Sequence, residues 1–434
     1  MRARLTGWLA ALGLGRLARR MLGARRAEAL RDRIRWGRIS LFPGLDRSAE
    51  RSQQVQAALD AGPLGVNLVG YLTTESGLGE AARSSLRALQ AARIPVSGVT
   101  LDNPTAQRQA DCSALPAEAG FRYPINLIHL NPEPMPEAMG RFDPDTWQSR
   151  YNIGYWAWEL ERFPEEWQGA FSCVDEVWVP SEFTSYAVAA AAPAGLPVTA
   201  APHTVEVREF GALPAEAAAL PDDLFTFLFI FDYYSYPERK HPLAVVEAFR
   251  RAFPGDERVH LVLKTTDPAR NPAYHRRLLE ACPRGRSTVI ARYLDRPTVN
   301  ALLRRGDCYV SLHRAEGFGL TMAEAMYLGK PVIATGYSGN LEFMTEQNSL
   351  LAPYRLVEIT EEHGPYRPGG LWAEPELEAA ARMMRKVWED RDLAVGLGKA
   401  AQATIQADFS PLAIGQRMAA RLREVRSGSV NFCV

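Results

Sequence analysis

Two glutamates stand eight residues apart in "AEGFGLTMAEAMYLGKPVIAT" (315–335), with Gly317 and Gly319 beside the first. An apolar strand precedes this stretch and another follows it. Glycines let backbone approach a ligand with no Cβ in the way. The first N–H groups of the following helix favour an anion such as a phosphate. Glu316 lies in the turn and Glu324 about one helical turn beyond the start, so both reach one edge. Carboxylates beside a phosphate site are costly unless they grip something neutral and hydroxylated. A sugar ring and a ribose fit that description.

Other residues could join them. Arg239 and Lys240 in "YPERKHP" offer adjacent cations, with a solvated helix start as the plainer alternative. Lys264 ends the apolar run "VHLVLKT", and His129 ends "PINLIHL". Gly77 and Gly79 form a second glycine-bearing loop in "TTESGLGEAAR". His313 precedes the Glu316 turn and reads as strand-end structure. The aromatic stretch "GYWAWELERFPEEW" (154–167) suits either a sugar platform or a buried core. Asp143 and Asp145 in "DPD" stand in a Pro-containing loop with no strand leading in, so they read as a turn and not as a metal site.

Elements that would position these groups alternate along the chain. Short buried runs near 65–71, 124–130, 150–156, 175–180 and 196–202 are separated mostly by helical stretches. The pattern restarts after an alanine-rich link near 211–222, with runs at 224–232, 259–265, 287–294, 307–313 and 330–335. Helices fall at about 241–252, 271–281, 296–305 and 319–329. Alternation of this kind predicts an α/β fold of two doubly wound, Rossmann-like parallel sheets with helices on both faces. Ligands in such sheets bind at the carboxyl ends of the strands, which places a site in the cleft between two facing domains.

Length and composition agree. At 434 residues, with 47% hydrophobic and 23% charged residues, the chain has material for two or three domains. Lys+Arg and Asp+Glu balance at 50 each, so no overall field argues for nucleic acid. The five cysteines are scattered, with no metal-ligand spacing, which suits a reducing, cytoplasmic setting and no structural zinc. Charge is uneven, however: residues 1–38 carry eleven arginines against Glu28 and Asp32. With Trp8, Leu9, Leu12 and Leu17 at roughly helical spacing, that segment suits an anionic membrane surface, or else a solvated basic helix. Residues 39–60 read as a polar connector.

"EGFGLTMAEAMYLGKPVIAT" and the following "GYSGNLEFM" resemble the E-x7-E signature segment of retaining GT-B glycosyltransferases of the family 4 group. "SGLGEAAR", "APHTV" (201–205), "FDYYSYPERKHPLAVVEAFRRAF" (231–253) and "ADFSPLAIGQRMAARL" resemble other segments of that family, so the likeness covers about 65–426. It implies a GT-B architecture: an N-terminal extension (1–60), an acceptor-side domain (61–210), a nucleotide-sugar domain (211–410) and a returning C-terminal helix (411–434). It further implies a donor sugar held by Glu316, a ribose held by Glu324, and a diphosphate neutralised by Arg239 and Lys240 in place of a metal ion. Lys264 would assist from the next strand. The turn Gly317, Phe318, Gly319 and Leu320, with Gly77 and Gly79 opposite, would close on the donor. His129 would face the transferred sugar. The family usually spaces its Arg and Lys further apart than here. No cofactor is implied. The expected substrates are a nucleoside-diphosphate sugar and a glycan or lipid-linked acceptor, as in cell-surface or extracellular polysaccharide synthesis. The alternatives are a catalytically silent GT-B module and a GT-B epimerase. Both glutamates are expected to serve ligand and not core.

Overall fold

A computed structural model describes residues 41–103, 108–109, 111–255 and 258–428. The basic segment 1–38, with its expected membrane role, lies outside the described residues. Seven parallel strands form the first sheet: β1 (Val66–Gly70), β2 (Val96–Thr100), β3 (Glu118–Ala119), β4 (Ile125–His129), β5 (Tyr151–Tyr155), β6 (Glu176–Val179) and β7 (Val198–Ala200). Their order is β3-β2-β1-β4-β5-β6-β7. The second sheet has six: β8 (Phe225–Ile230), β9 (Val259–Thr265), β10 (Ser287–Ala291), β11 (Cys308–Ser311), β12 (Val332–Thr335) and β13 (Leu350–Ala352), in the order β10-β9-β8-β11-β12-β13. Both orders reverse once, between β1 and β4 and between β8 and β11. Those two reversal points open crevices at the carboxyl ends of the strands. Gly70 and His129 flank the first; Asp232 and His313 follow the strands of the second.

Both sheets have near-continuous apolar cores, as expected of strands covered on two faces. β1, β4, β5 and β8 are buried throughout. The sequence reading overlooked β2 and β3, which lie toward a sheet edge and bury little. It also overlooked an antiparallel hairpin of β14 (Tyr354–Glu358) and β15 (Leu371–Pro375), whose loop reaches the site described below.

The expected connector is the clearest correction. Residues Ala49–Ala61 form a helix capped by the Ser48 side chain, and Arg51 is only 4% exposed. Its guanidinium grips Asp175 in a fork, at 2.8 and 2.9 Å. Asp175 in turn ends a row of buried polar side chains laid across four strands. Asn152 N–H donates to Asp175 (2.9 Å), Asn126 Nδ2 to Asn152 Oδ1 (2.9 Å), Asn67 Nδ2 to Asn126 Oδ1 (2.8 Å) and Ser97 Oγ to Asn67 Oδ1 (2.9 Å). Strand register creates this row, since Asn67 pairs with Asn126 and Asn126 with Asn152. A buried polar group must find a partner, and here each finds the next.

Two features tie the halves together. The helix Pro411–Arg426 returns to the helix Gly77–Ala91, where Gly415 sits so close that a Cβ would lie 2.0 Å from the Ala88 carbonyl. From the same helix Arg421 reaches the fully buried Glu176 at 2.9 Å. The aromatic stretch 154–167 resolves to core: Trp156, Trp158, Phe163 and Trp167 pack on one another and on Phe171. Asp143 accepts from the Asp145 N–H, as a turn residue does. Cys112, Cys173, Cys282 and Cys308 are unpaired thiols.

Candidate active site

The basic pair sits on a strained turn. After β8, Asp232 caps Ser235, and then Tyr236 (φ 58°) and His241 (φ 55°) bracket the four-residue helix Pro237–Lys240. Left-handed backbone at non-glycine residues costs energy and persists only where surroundings enforce it. Arg314 does the enforcing. Its N–H donates to the Arg239 carbonyl (2.8 Å), its Nη1 to the Glu238 carbonyl (3.2 Å) and its Nε to Glu374 of β15 (2.8 Å). Glu374 also meets His241 Nε2 at 3.2 Å.

This turn is no solvated helix start. Arg239 is 4% exposed; its Nη1 donates to the Ala315 carbonyl at 2.7 Å and lies 3.3 Å from Glu316 Oε2. Lys240 Nζ contacts Glu316 Oε1. Burial pushes the Glu316 carboxyl up, but Lys240, Arg239 and His313 together outweigh it and hold the group well below the usual carboxylate range. From the opposite wall Glu159 stands 3.8 Å from Arg239 Nη2 and accepts from the Tyr366 hydroxyl at 2.9 Å. Arg239 and Lys240 thus both converge on Glu316, so the carboxylate expected to serve ligand alone also has charge partners within the chain.

The glycine turn is held from both sides. Ser338 Oγ accepts from the Glu316 N–H (2.8 Å), Gly339 N–H donates to the Glu316 carbonyl (2.8 Å), and Ser181 Oγ donates to the Gly317 carbonyl across the cleft (2.7 Å). Gly319, at φ 99°, precedes the helix Leu320–Tyr327 in a conformation that favours glycine. Phe318 is buried edge-on to His203 at 5.0 Å, and Leu320 is half-buried at the helix start. His313 is wholly buried between Ser311, Asn340 and the Tyr337 carbonyl, which is strand-end structure.

Glu324 belongs to a separate cluster. It is 4% exposed, and Arg296 forks onto both its oxygens. Burial raises its carboxyl, Arg296 opposes that shift, and Glu80 of the opposite wall adds to it. Lys264, 6% exposed, is the last but one residue of β9, beside Ile230 of β8. Burial lowers its ammonium to about 8, against the attraction of Asp232 and with the repulsion of Arg296. On the facing wall Gly77 and Gly79 start a helix capped by Ser76. Gly79 is sterically required, since a Cβ would lie 2.0 Å from the Thr74 carbonyl; Gly77 has open space beside it.

His129 ends β4 at 2% exposure and stacks on Tyr155 with ring centroids 4.3 Å apart. Tyr155 meets His203 Nδ1 at 3.2 Å, so a row of rings runs from His129 to Phe318 in the other half. Burial lowers His129 to about 3, with His203 adding a little, so the ring is neutral at pH 7. Its Nε2 has no hydrogen-bond partner among the described residues. The structure therefore brings Glu316, Arg239 and Lys240 together and sets Glu324 and Lys264 around Arg296. Sequence reasoning missed Arg296, Arg314, Glu159, Tyr155 and Tyr366. Tyr155 and Glu159 lie in the aromatic stretch 154–167, Arg296 lies in the segment 293–297, and Arg314 stands two residues before Glu316, so these four had position in their favour; Tyr366 had none. Among the described residues no group of three or more His, Cys, Asp or Glu is arranged to hold a metal ion. No helix among them is long and apolar enough to cross a membrane.

Residues 205–418 match the family model described as family 4 glycosyltransferase in conflict systems. No curated protein matches the sequence. Solved structures do. Sucrose-phosphate synthase from Thermosynechococcus elongatus is 19% identical, with 84% of this chain and 100% of that one covered, at a TM-score of 0.60. A glycosyltransferase from Rickettsia africae is 14% identical over 84% of this chain and 99% of that one, at 0.61. Anabaena HepE, solved with UDP and glucose, is 16% identical over 83% of this chain and 100% of its own, at 0.58. At these identities the likeness speaks for the fold, which is GT-B.

Proposed function

From the GT-B fold and the match of residues 205–418 to a family 4 glycosyltransferase model, we propose that this chain moves a sugar from a nucleoside diphosphate to a hydroxyl of a glycan or lipid-linked acceptor, with retention at the anomeric carbon. The observation that carries the reading is Glu316, buried between Arg239 and Lys240 at the carboxyl edge of the second sheet.

The diphosphate lies against Lys240 and Arg239 and at the start of the helix Leu320–Tyr327, whose free N–H groups favour an anion. Glu316 accepts hydrogen bonds from hydroxyls of the donor sugar, and Glu324 accepts them from the ribose. The neutral His129 presents its unpartnered Nε2 to the sugar from the other wall. The bond from the anomeric carbon to the phosphate oxygen breaks, and its electron pair leaves with the diphosphate. The acceptor oxygen bonds to the same face, and its proton passes to the departing phosphate oxygen. The protein contributes closure, orientation and stabilisation of the leaving charge. Two adjacent cations supply what a divalent metal supplies elsewhere, so the reaction needs none. Anabaena HepE, solved with UDP and glucose, makes UDP-sugars the first donors to try. Cell-surface or extracellular polysaccharide synthesis at the inner membrane face, with residues 1–38 on anionic lipid, is the setting we favour.

The test is a thermal-shift screen of UDP-, ADP-, GDP- and dTDP-sugars, followed by assay of nucleotide release with glycan and lipid-linked acceptors. A bound nucleotide raises apparent stability by mass action. Release that depends on acceptor supports a transferase. Binding with no release under any acceptor points to a silent module, and conversion of the donor sugar without acceptor to an epimerase.

A further inference from the structure

The residue that holds Glu324 is not itself held. Arg296 opens the helix Arg296–Arg305 and lays its guanidinium across both Glu324 oxygens, at 3.3 Å for Nη1 to Oε2 and closer for Nη2 to Oε1. The two partners differ sharply in freedom. The Glu324 side chain is 6% exposed and fixed in a helix, whereas that of Arg296 is 44% exposed. The other charges facing Arg296 come from the opposite wall: Glu80, which is tied to Arg83 and Arg87, and Asp111, which is tied to Arg83. Lys264 lies near enough to feel its positive charge.

This arrangement sets up a competition. If Glu324 takes the two ribose hydroxyls, they need the carboxylate lone pairs that the guanidinium now fills. A bare nucleoside would displace Arg296 and offer it nothing in return. A nucleotide brings phosphate oxygens, the partners that a planar guanidinium fork suits best. A half-exposed arginine on a flexible stem can exchange one anion for the other; a buried one cannot.

We propose that Arg296 is a transferable cation, which neutralises Glu324 in the empty cleft and turns to a phosphate of the bound nucleotide once the ribose takes Glu324. This rests on the nucleotide-sugar reading above and makes Arg296 a specificity-determining residue for phosphorylated nucleosides. Charge stays paired in both states, so the buried carboxylate is never left alone, which would be costly.

Calorimetric titration of the wild-type chain and of Arg296→Met and Arg296→Lys tests it. The probes are UDP, ADP, GDP and dTDP, together with the free nucleoside of whichever binds most tightly. Removing a charge-assisted hydrogen bond from the bound state weakens binding by about ten- to a hundred-fold. Arg296→Met should therefore lose about tenfold or more for the diphosphate while the nucleoside binds as well as before or better. Arg296→Lys should fall between. Parallel loss for diphosphate and nucleoside would make Arg296 a mere prop for Glu324 and overturn the exchange. Tighter binding of the diphosphate by Arg296→Met would make it only a plug and would overturn the exchange as well. A wild-type chain that binds none of the four would overturn this inference and the nucleotide-sugar reading together, an outcome distinct from the other two.

Discussion

Arg239 and Glu316 form an ion pair of 3.3 Å with their side chains 5% and 8% exposed, on a turn that leaves ordinary backbone space at both ends. Such a pair is not explained by stability. Replacing a buried ion pair with packed apolar groups is often neutral or better, and a strained turn adds cost. The arrangement makes sense if a multiply charged ligand takes over the cations while hydroxyls take over the carboxylate.

The two glutamates should therefore respond differently to amide substitution. Glu316→Gln leaves the partly buried Lys240 without its charge partner and the buried Arg239 with only Glu159 at 3.8 Å, so its melting temperature should drop, by an amount corresponding to about 3 kcal/mol. Glu324→Gln should cost much less, because the half-exposed Arg296 can return to water. With donor present, Glu316→Gln should lower kcat more than nucleotide affinity, since positive character on the sugar grows as the glycosidic bond breaks. Glu324→Gln should mainly raise KM, since ribose is gripped alike before and during transfer. Either effect is about ten- to a hundred-fold. Melting curves, nucleotide Kd and kcat for both variants check this; equal melting losses would contradict the asymmetry in burial.

Lys264 should give nucleotide binding a pH dependence. Burial lowers its ammonium to about 8, so the cation is present below that pH and lost above it. A diphosphate prefers the protonated form, hence affinity should be full at pH 7 and decline as pH rises through about 8. The slope approaches tenfold per unit until the raised pKa of the bound state is reached. Lys264→Arg, always charged, should bind with a flat profile to pH 9. A flat wild-type profile would remove Lys264 from the phosphate site.

How much of this was legible beforehand depends on distance along the chain. Glu316, Gly317, Gly319 and Glu324 lie within nine residues, and the strand and helix around them have clear periods, so sequence alone located that turn. Arg239 is 77 positions from Glu316, yet "YPERKHP" could be singled out because the stretch around it resembles the family segment that carries a basic pair. Arg296 and Glu159 had no such signature, because an arginine at a helix start or a glutamate in an aromatic loop is ordinary until folding brings it to a partner. The hairpin carrying Glu374 failed to register because β14 is mostly exposed and β15 buries only Trp372, Ala373 and Pro375, so neither shows the longer apolar run that betrays a buried strand. Arg51 was lost to its polar neighbours, although the Ser48 cap before its helix was readable.

Turnover should survive chelation. Arg239 and Lys240 already place two positive charges where the leaving diphosphate would sit, and the proposed mechanism assigns no step to a metal ion. EDTA at millimolar concentration should leave initial rates within about twofold of the untreated enzyme. A rate abolished by EDTA and restored by magnesium or manganese would show that the basic pair does not suffice.

The helix Ala49–Ala61 offers a test away from the cleft. Arg51 reaches Asp175 across 124 positions, and Asp175 also accepts from the Asn152 N–H at the end of the polar row. Losing Asp175 strands the Arg51 charge, and losing Arg51 leaves Asp175 with only the more distant Arg47 at 3.5 Å, where just 4% of either Arg51 or Asp175 is exposed. Asp175→Asn should thus destabilise the first half by about 3–5 kcal/mol, and Arg51→Met by less, because Arg47 still faces Asp175. The double variant should lose much less than the sum, because the second change removes the charge that the first had stranded. Nucleotide affinity should stay unchanged in all three, since the proposed nucleotide-binding residues lie mainly on the second sheet. Urea unfolding of the set, followed by nucleotide titration of each folded variant, decides the matter. Additive losses would mean that Arg51 and Asp175 act through separate neighbours. A loss of nucleotide binding in a fully folded variant would mean that the polar row reaches the cleft after all.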